Sequence, residues 1–234
     1  MSEDNVTERL LDAALPHVPF DGWTDAVFRI AIEETEIDPT LAKAACPRGA
    51  VDLALAFHRR GDQAMVERIN GGGFAELKIR EKVTQALRIR LDVIEDREAI
   101  RRAATLFALP YYAADGARAV WQTADNVWTA IGDTSEDYNW YTKRATLSGV
   151  WGSTLLYWLG DDSPGEQNTL AFIDRRIEDV MEVEKIKGRV RSSPILGPLA
   201  RGFESSLGWI KPPNPDAARN MPGQWATDNG TQAP

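Results

Sequence analysis

Two histidines, one cysteine and a few adjacent acidic pairs are the residues of this 234-residue chain whose types suit catalysis or metal binding. Neither His17 nor His58 has a Glu three residues before it, so the Glu-x-x-His ligands of a di-iron bundle are missing. Cys46 has no Cys or His nearby, which argues against zinc. There is no nucleophile elbow. Glu33-Glu34 and Asp161-Asp162 fall where helices are expected to end and read as solvated ends rather than acid/base pairs. Gly71-Gly72-Gly73 lacks the spacing of a dinucleotide or Walker loop and supplies turn freedom, not a phosphate site. No catalytic residue, metal or cofactor is assigned, and the chain reads as a non-enzyme.

The chemistry that remains is that of contact. Five of the eight tryptophans fall between 121 and 158. The densest stretch runs from Asp133 to Trp158. It opens with acidic and hydroxyl residues that can cap a helix, Thr134 standing three before Asp137. Trp140, Tyr141, Lys143 and Arg144 follow in the first turns. Trp, Tyr and Arg are the types enriched at interface hot spots. Leu147, Trp151, Leu155 and Trp158 then form one helical stripe, and Ala145, Gly149 and Gly152 a second stripe of small residues. The tryptophans on this helix and the one before it suit an apolar cavity between helices. Tyr111, Tyr112, Trp128, Leu147, Trp151 and Leu155 are its candidate lining.

The string DxSxDYNWYTKRAxLxxVWxSTLLYWLxDxSP over 133–164 resembles the signature of the accessory lipid-binding proteins of ubiquinone biosynthesis, ninth of the numbered coenzyme Q series. The resemblance covers roughly residues 5–190 and is densest over 133–180. It implies a quinone or isoprenoid intermediate as ligand. It also implies a surface patch of Asp137, Trp140, Tyr141, Lys143 and Arg144 that meets the demethoxyubiquinone hydroxylase. Lys143, where Arg is also found, is a mild departure.

These residues need a helical frame. Helices are expected over 5–15, after Thr24, over 39–46 behind the Asp38-Pro39 cap, over 50–60, from Asp62 to about Ile69, over 74–94, over 97–109 behind Asp96, over 114–131, over 135–160, and from Ser163 to Gly188. No strand pattern is present, so the fold is all-α, with about nine or ten helices. Residues 1–61 have the layout of a helix-turn-helix. The run LLDAAL…DGWT…IAIEE…IDPTLAKAACPRGAVDLALAF resembles the N-terminal domain of TetR-type repressors. A ligand-sensing repressor is therefore the alternative function. It is disfavoured: residues 1–60 hold eleven acidic and six basic residues, and the would-be recognition helix offers only Lys43, with Arg48 just after it. Residues 62–188 are expected to bind lipid and to form a homodimer through the last two large helices.

The net charge is −8 and the pI about 4.9, which speaks against nucleic acid as a partner. Residues 1–184 hold 20 basic and 32 acidic residues, whereas 185–211 hold six and one. That basic stretch precedes a short amphipathic helix with Leu199, Phe203, Leu207 and Ile210 on one side, the pattern of a membrane-surface contact. The order is a linker at 189–197, the helix to 210, and a disordered tail over 212–234. The lone cysteine fits a reducing compartment. The acidic N-terminus lacks a signal or transit segment, and no apolar run spans a membrane. The expectation is a bacterial protein (or a mature form), peripheral to the inner membrane and cytoplasmic.

Overall fold

The computed structural model describes residues 3–192, with side chains over 5–182. All regular structure among the described residues is helical: α1 Glu3–Ala14, α2 Val18–Asp21, α3 Asp25–Thr35, α4 Pro39–Ala45, α5 Ala50–Asn70, α6 Ile79–Asp92, α7 Arg97–Phe107, α8 Ala113–Ala130, α9 Tyr138–Leu159 and α10 Gln167–Ser192, with a 3-10 turn at Pro164–Glu166.

Local signals set most helix starts. The Thr24 hydroxyl accepts from the Val27 amide, the Asp38 carboxylate from Thr40 and Leu41, and the Asp96 carboxylate from Ala99. Four boundaries differ from expectation. Residues 71–78 form turns, and α6 starts only at Ile79, where the Glu81 carboxylate accepts from the Lys78 amide. The cap of α9 is Asp137, accepting from Asn139, not Thr134. Asp161 is not a solvated helix end. It is buried and accepts from the Ser163 amide and from both the amide and hydroxyl of Thr169, replacing the expected Ser163–Glu166 capping box. Those hydrogen bonds, Thr169 first, hold its carboxyl far below the ordinary range. Lastly, α10 runs through Gly188 to Ser192, past the expected close at Lys185–Gly188 and into the expected linker.

The largest departure lies in α5. Gly61-Asp62 reads as a break and a new cap, yet α5 continues through both. Asp62 is buried and takes the Arg90 Nε at 2.7 Å, the Thr123 hydroxyl at 2.9 Å and the Asn126 amide at 3.2 Å. Arg90, 2% exposed, also donates to the His58 carbonyl and lies 5.5 Å over the Trp151 ring. Gly61 is needed because a Cβ there would stand 2.6–2.7 Å from the guanidinium. A buried charge is tolerated only when paired and hydrogen-bonded, which this network achieves between α5, α6 and α8. Burial holds the neighbouring His58 imidazole below its ordinary pKa.

α1, α3 and α4 pack as an N-terminal unit against α5. α7 ties it to the rest: the Trp23 indole donates to the Ala99 carbonyl and Arg102 to that of Pro19. At its other side, Arg97 donates to the Trp158 and Asp161 carbonyls and Arg101 to that of Leu159, closing the C-terminal end of α9. α9 lies between α8 and α10, and α10 packs on α6.

Candidate functional site

Everything distinctive about the site converges on the first two turns of α9. Asp133, just before the helix, binds both cations of the Lys143-Arg144 pair. Its Oδ1 takes the Lys143 ammonium at 2.7 Å and its Oδ2 the Arg144 guanidinium at 3.1 Å. Ser135 adds a hydroxyl to Oδ1. Burial alone would raise this carboxyl; the hydrogen bonds from Lys143, Ser135 and Arg144 outweigh it and hold it below the ordinary range.

The two cations point to different faces. Arg144 is buried, pairs with Asp125 on α8 at 2.5 Å, and lies 4.0 Å beneath the Trp140 ring. It therefore supports the aromatic patch from below and does not present itself at the surface. Above it, Trp140 and Tyr141 meet edge to face at 4.8 Å, with Trp121 of α8 at 6.1 and 6.5 Å from the two rings. Trp121 is a member of this patch that sequence reasoning placed with the cavity helices. All three rings are half-buried. Asp137, at the cap, is exposed.

Lys143 turns the other way. Its ammonium lies 5.1 Å over the Trp128 ring, and the Trp128 indole donates to the Lys143 carbonyl at 3.2 Å. Both line a cavity of about 230 Å³ between α6, α9 and α10. Its other walls are Ile79, Arg80 and Val83 from α6, Asn139, Thr142, Thr146, Leu147 and Val150 from α9, and Ile177, Val180 and Met181 from α10. The lining is mostly apolar, as suits a hydrocarbon-bearing ligand.

Of the six expected lining residues, the structure brings Trp128 and Leu147 to this cavity. Trp151 is buried in the core against Arg90, and Leu155 packs on that core. Tyr111 and Tyr112 pair edge to face at the α7–α8 corner, with Tyr111 85% exposed. The α10 wall was missed because Ile177 and Val180 share the spacing of a core stripe. The α6 wall gives no signal in the sequence: Ile79 continues the stripe of Val83 and Leu87, and only the structure leaves it 53% exposed. The small-residue stripe splits. Gly152 faces Val120 of α8, while Ala145 and Gly149 are exposed, as is Leu156 two turns further along. Leu199, Phe203, Leu207, Ile210 and the tail from 212 lie outside the described residues.

An N-terminal three-helix unit carrying a helix-turn-helix layout, followed by a larger helical body, defines a TetR-like all-α protein. The chain superposes with a TM-score of 0.61 on the crystal structure of the TetR transcriptional regulator from Nitrosomonas europaea ATCC 19718, over 74% of this chain and 97% of that one, at 18% identity. At that identity the likeness shows the fold alone. The family follows from sequence. The family model COQ9 matches residues 113–184, which include the whole aromatic patch and most of the cavity lining. "Ubiquinone biosynthesis protein COQ9, mitochondrial" of Drosophila melanogaster is 30% identical over 186 residues, 77% of this chain and 57% of that protein. The rat protein of the same name is 30% identical over 203 residues, 82% and 64%. COQ9-B of Xenopus laevis is 30% identical over 205 residues, 82% of this chain and 68% of its relative. The chain belongs to the COQ9 family. It spans 57–64% of the length of the fly and rat relatives.

Proposed function

We propose that this chain is a non-enzymatic lipid-binding accessory protein of ubiquinone biosynthesis. It takes an apolar quinone or isoprenoid intermediate at a membrane surface, holds it in the cavity between α6, α9 and α10, and presents it to the hydroxylase acting on demethoxyubiquinone. The observation that carries this reading is a shared wall. The same two turns of α9 line the cavity with Asn139, Thr142 and Lys143 and carry Trp140 and Tyr141 on the neighbouring face. A partner docked on the aromatic patch would thus stand beside the bound ligand. The names of the relatives place them in the same pathway.

The partner surface consists of Asp137, Trp140 and Tyr141, with Arg144 holding it from below and Lys143 turned to the cavity beside it. Membrane contact falls to the basic and amphipathic segment with Leu199, Phe203, Leu207 and Ile210, at the cytoplasmic face of a bacterial inner membrane. No helix among the described residues is long and apolar enough to cross a membrane. A homodimer is supported by the exposed stripe Ala145, Gly149 and Leu156 on α9. The repressor alternative has the fold in its favour. Against it, Arg48 is engaged by Asp52 and Asp115, and Lys43 lies over the Phe28 ring.

Trp140→Ala tests the reading. It should weaken hydroxylase binding at least roughly thirtyfold, about 2 kcal/mol, while bound lipid and melting temperature stay near wild type. A stability loss comparable to a core deletion, with partner affinity per folded molecule unchanged, would show that Trp140 is packing.

A further inference from the structure

One carboxylate is bonded to both faces of the site. α8 ends in a Schellman turn: Gly132 takes a φ of +84°, its amide donates to the Thr129 carbonyl at 3.1 Å, and the Asp133 amide donates to that of Trp128 at 2.9 Å. The turn fixes the backbone of Asp133, whose side chain is 4% exposed. Each of its oxygens serves one face. Oδ1 holds Lys143, whose ammonium lies over Trp128 at the cavity wall. Oδ2 holds Arg144, on which Trp140 rests. With Asp125 on Arg144, two acidic side chains balance two basic ones.

The two contacts differ in their access to water. The Arg144 side chain is 3% exposed and that of Lys143 is 38% exposed. Water on the cavity side screens Lys143 and weakens its pull on Oδ1. An apolar ligand in the cavity displaces that water, and the Lys143–Asp133 attraction strengthens in the lower dielectric. The terminal torsion of an aspartate is soft, so a firmer hold on Oδ1 also fixes where Oδ2 points. Oδ2 then keeps the guanidinium under Trp140, and a stiffer patch loses less freedom when a partner docks. We infer that Asp133 is a positioning residue that couples the two faces: a filled cavity raises the affinity of the patch for its partner. By linkage, the docked partner tightens the ligand by the same factor. This rests on the lipid-binding and docking reading above and adds how a partner tells a loaded chain from an empty one.

The test is the affinity of the purified hydroxylase for the full chain, measured with and without saturating decylubiquinone as the probe. The ratio of the two affinities is the coupling. Any binding of the probe to the hydroxylase itself is common to wild type and variants, so their comparison removes it. The wild type should tighten about fivefold or more when loaded. Asp133→Asn should bring the ratio to about one, whatever it does to either affinity alone, and Asp133→Glu, which keeps a carboxylate, should restore part of it. A purely structural role for Asp133 would lower both affinities and leave the ratio at its wild-type value. If Asp133→Asn misfolds, Lys143→Met removes the cavity-side contact, leaves the Asp133–Arg144 pair, and should also abolish the ratio. A wild type that binds probe and hydroxylase independently, or a wild-type ratio retained in the folded variants, overturns the inference and leaves the reading above standing. A wild type that binds no probe, or no hydroxylase, overturns that reading and the inference with it.

Discussion

Gly61→Ala separates two opposing effects within α5, and the structure decides which wins. On helix propensity alone, Ala inside a helix is favoured over Gly by about 1 kcal/mol. Against that, the new Cβ would stand 2.6 Å from Nη1 and 2.7 Å from Cζ and Nη2 of Arg90. An exposed arginine would swing aside at little cost. This one is held by Asp62 at 2.7 Å and the His58 carbonyl at 3.1 Å, and packs on Trp151. Overpacking a core costs about 1–3 kcal/mol, and breaking a buried ion pair about 3–5 kcal/mol. If the guanidinium yields while keeping part of the Asp62 contact, the net loss is about 1 kcal/mol; if the pair breaks, about 3 kcal/mol. Urea unfolding at neutral pH measures this as a lowered midpoint with an unchanged slope. The same substitution made in an Asp62→Ala, Arg90→Ala background meets no guanidinium and should stabilise by about 1 kcal/mol. A stabilised single Gly61→Ala variant would refute the argument, since it would mean that the network gives way freely.

Asp133→Asn should lower stability at pH 7 and flatten its acid dependence. The folded carboxyl is held below its ordinary value near 3.9, so its stabilisation is complete above that pH and is lost as the pH falls towards the folded value. Unfolding midpoints between about pH 5 and pH 2 report it, and an acid limb identical to wild type would remove Asp133 from this account. Thr154→Val should raise stability by about 1 kcal/mol, because the Thr154 hydroxyl is buried without a partner among the described residues. Thermal unfolding checks it, and a loss of similar size would show that the hydroxyl is bonded.

What was legible in the sequence was local. Thr24, Asp38 and Asp96 announce their helices because a cap needs only the next three residues. The family signature over 133–164 covers the first two turns of α9, where the structure gathers Trp140, Tyr141 and Arg144. Illegible was whatever depended on a distant partner. Asp62 looks like a cap until Arg90, 28 residues on, supplies its counter-charge. Gly61 looks like a breaker for the same reason. Within the site, Leu147 and Trp128 were readable as lining, but Ile177 and Val180 share their spacing with residues that face the core. Periodicity reports that a face is apolar, not whether protein or ligand covers it. Tyr111 and Tyr112 drew notice as aromatics, yet their helix turn carries them outward to a corner.

The Gly61–Asp62–Arg90 arrangement also limits how this chain can vary over generations. Adding a side chain at 61 requires a shorter one at 90. Shortening 90 first strands a buried carboxylate at 62, and neutralising 62 first strands a buried guanidinium. Each single step passes through a less stable molecule, so substitutions at the three positions are energetically coupled. A lineage that leaves this arrangement must first accumulate spare stability elsewhere. The polar core that holds α5, α6 and α8 together therefore also sets the order in which substitutions at these positions can be tolerated.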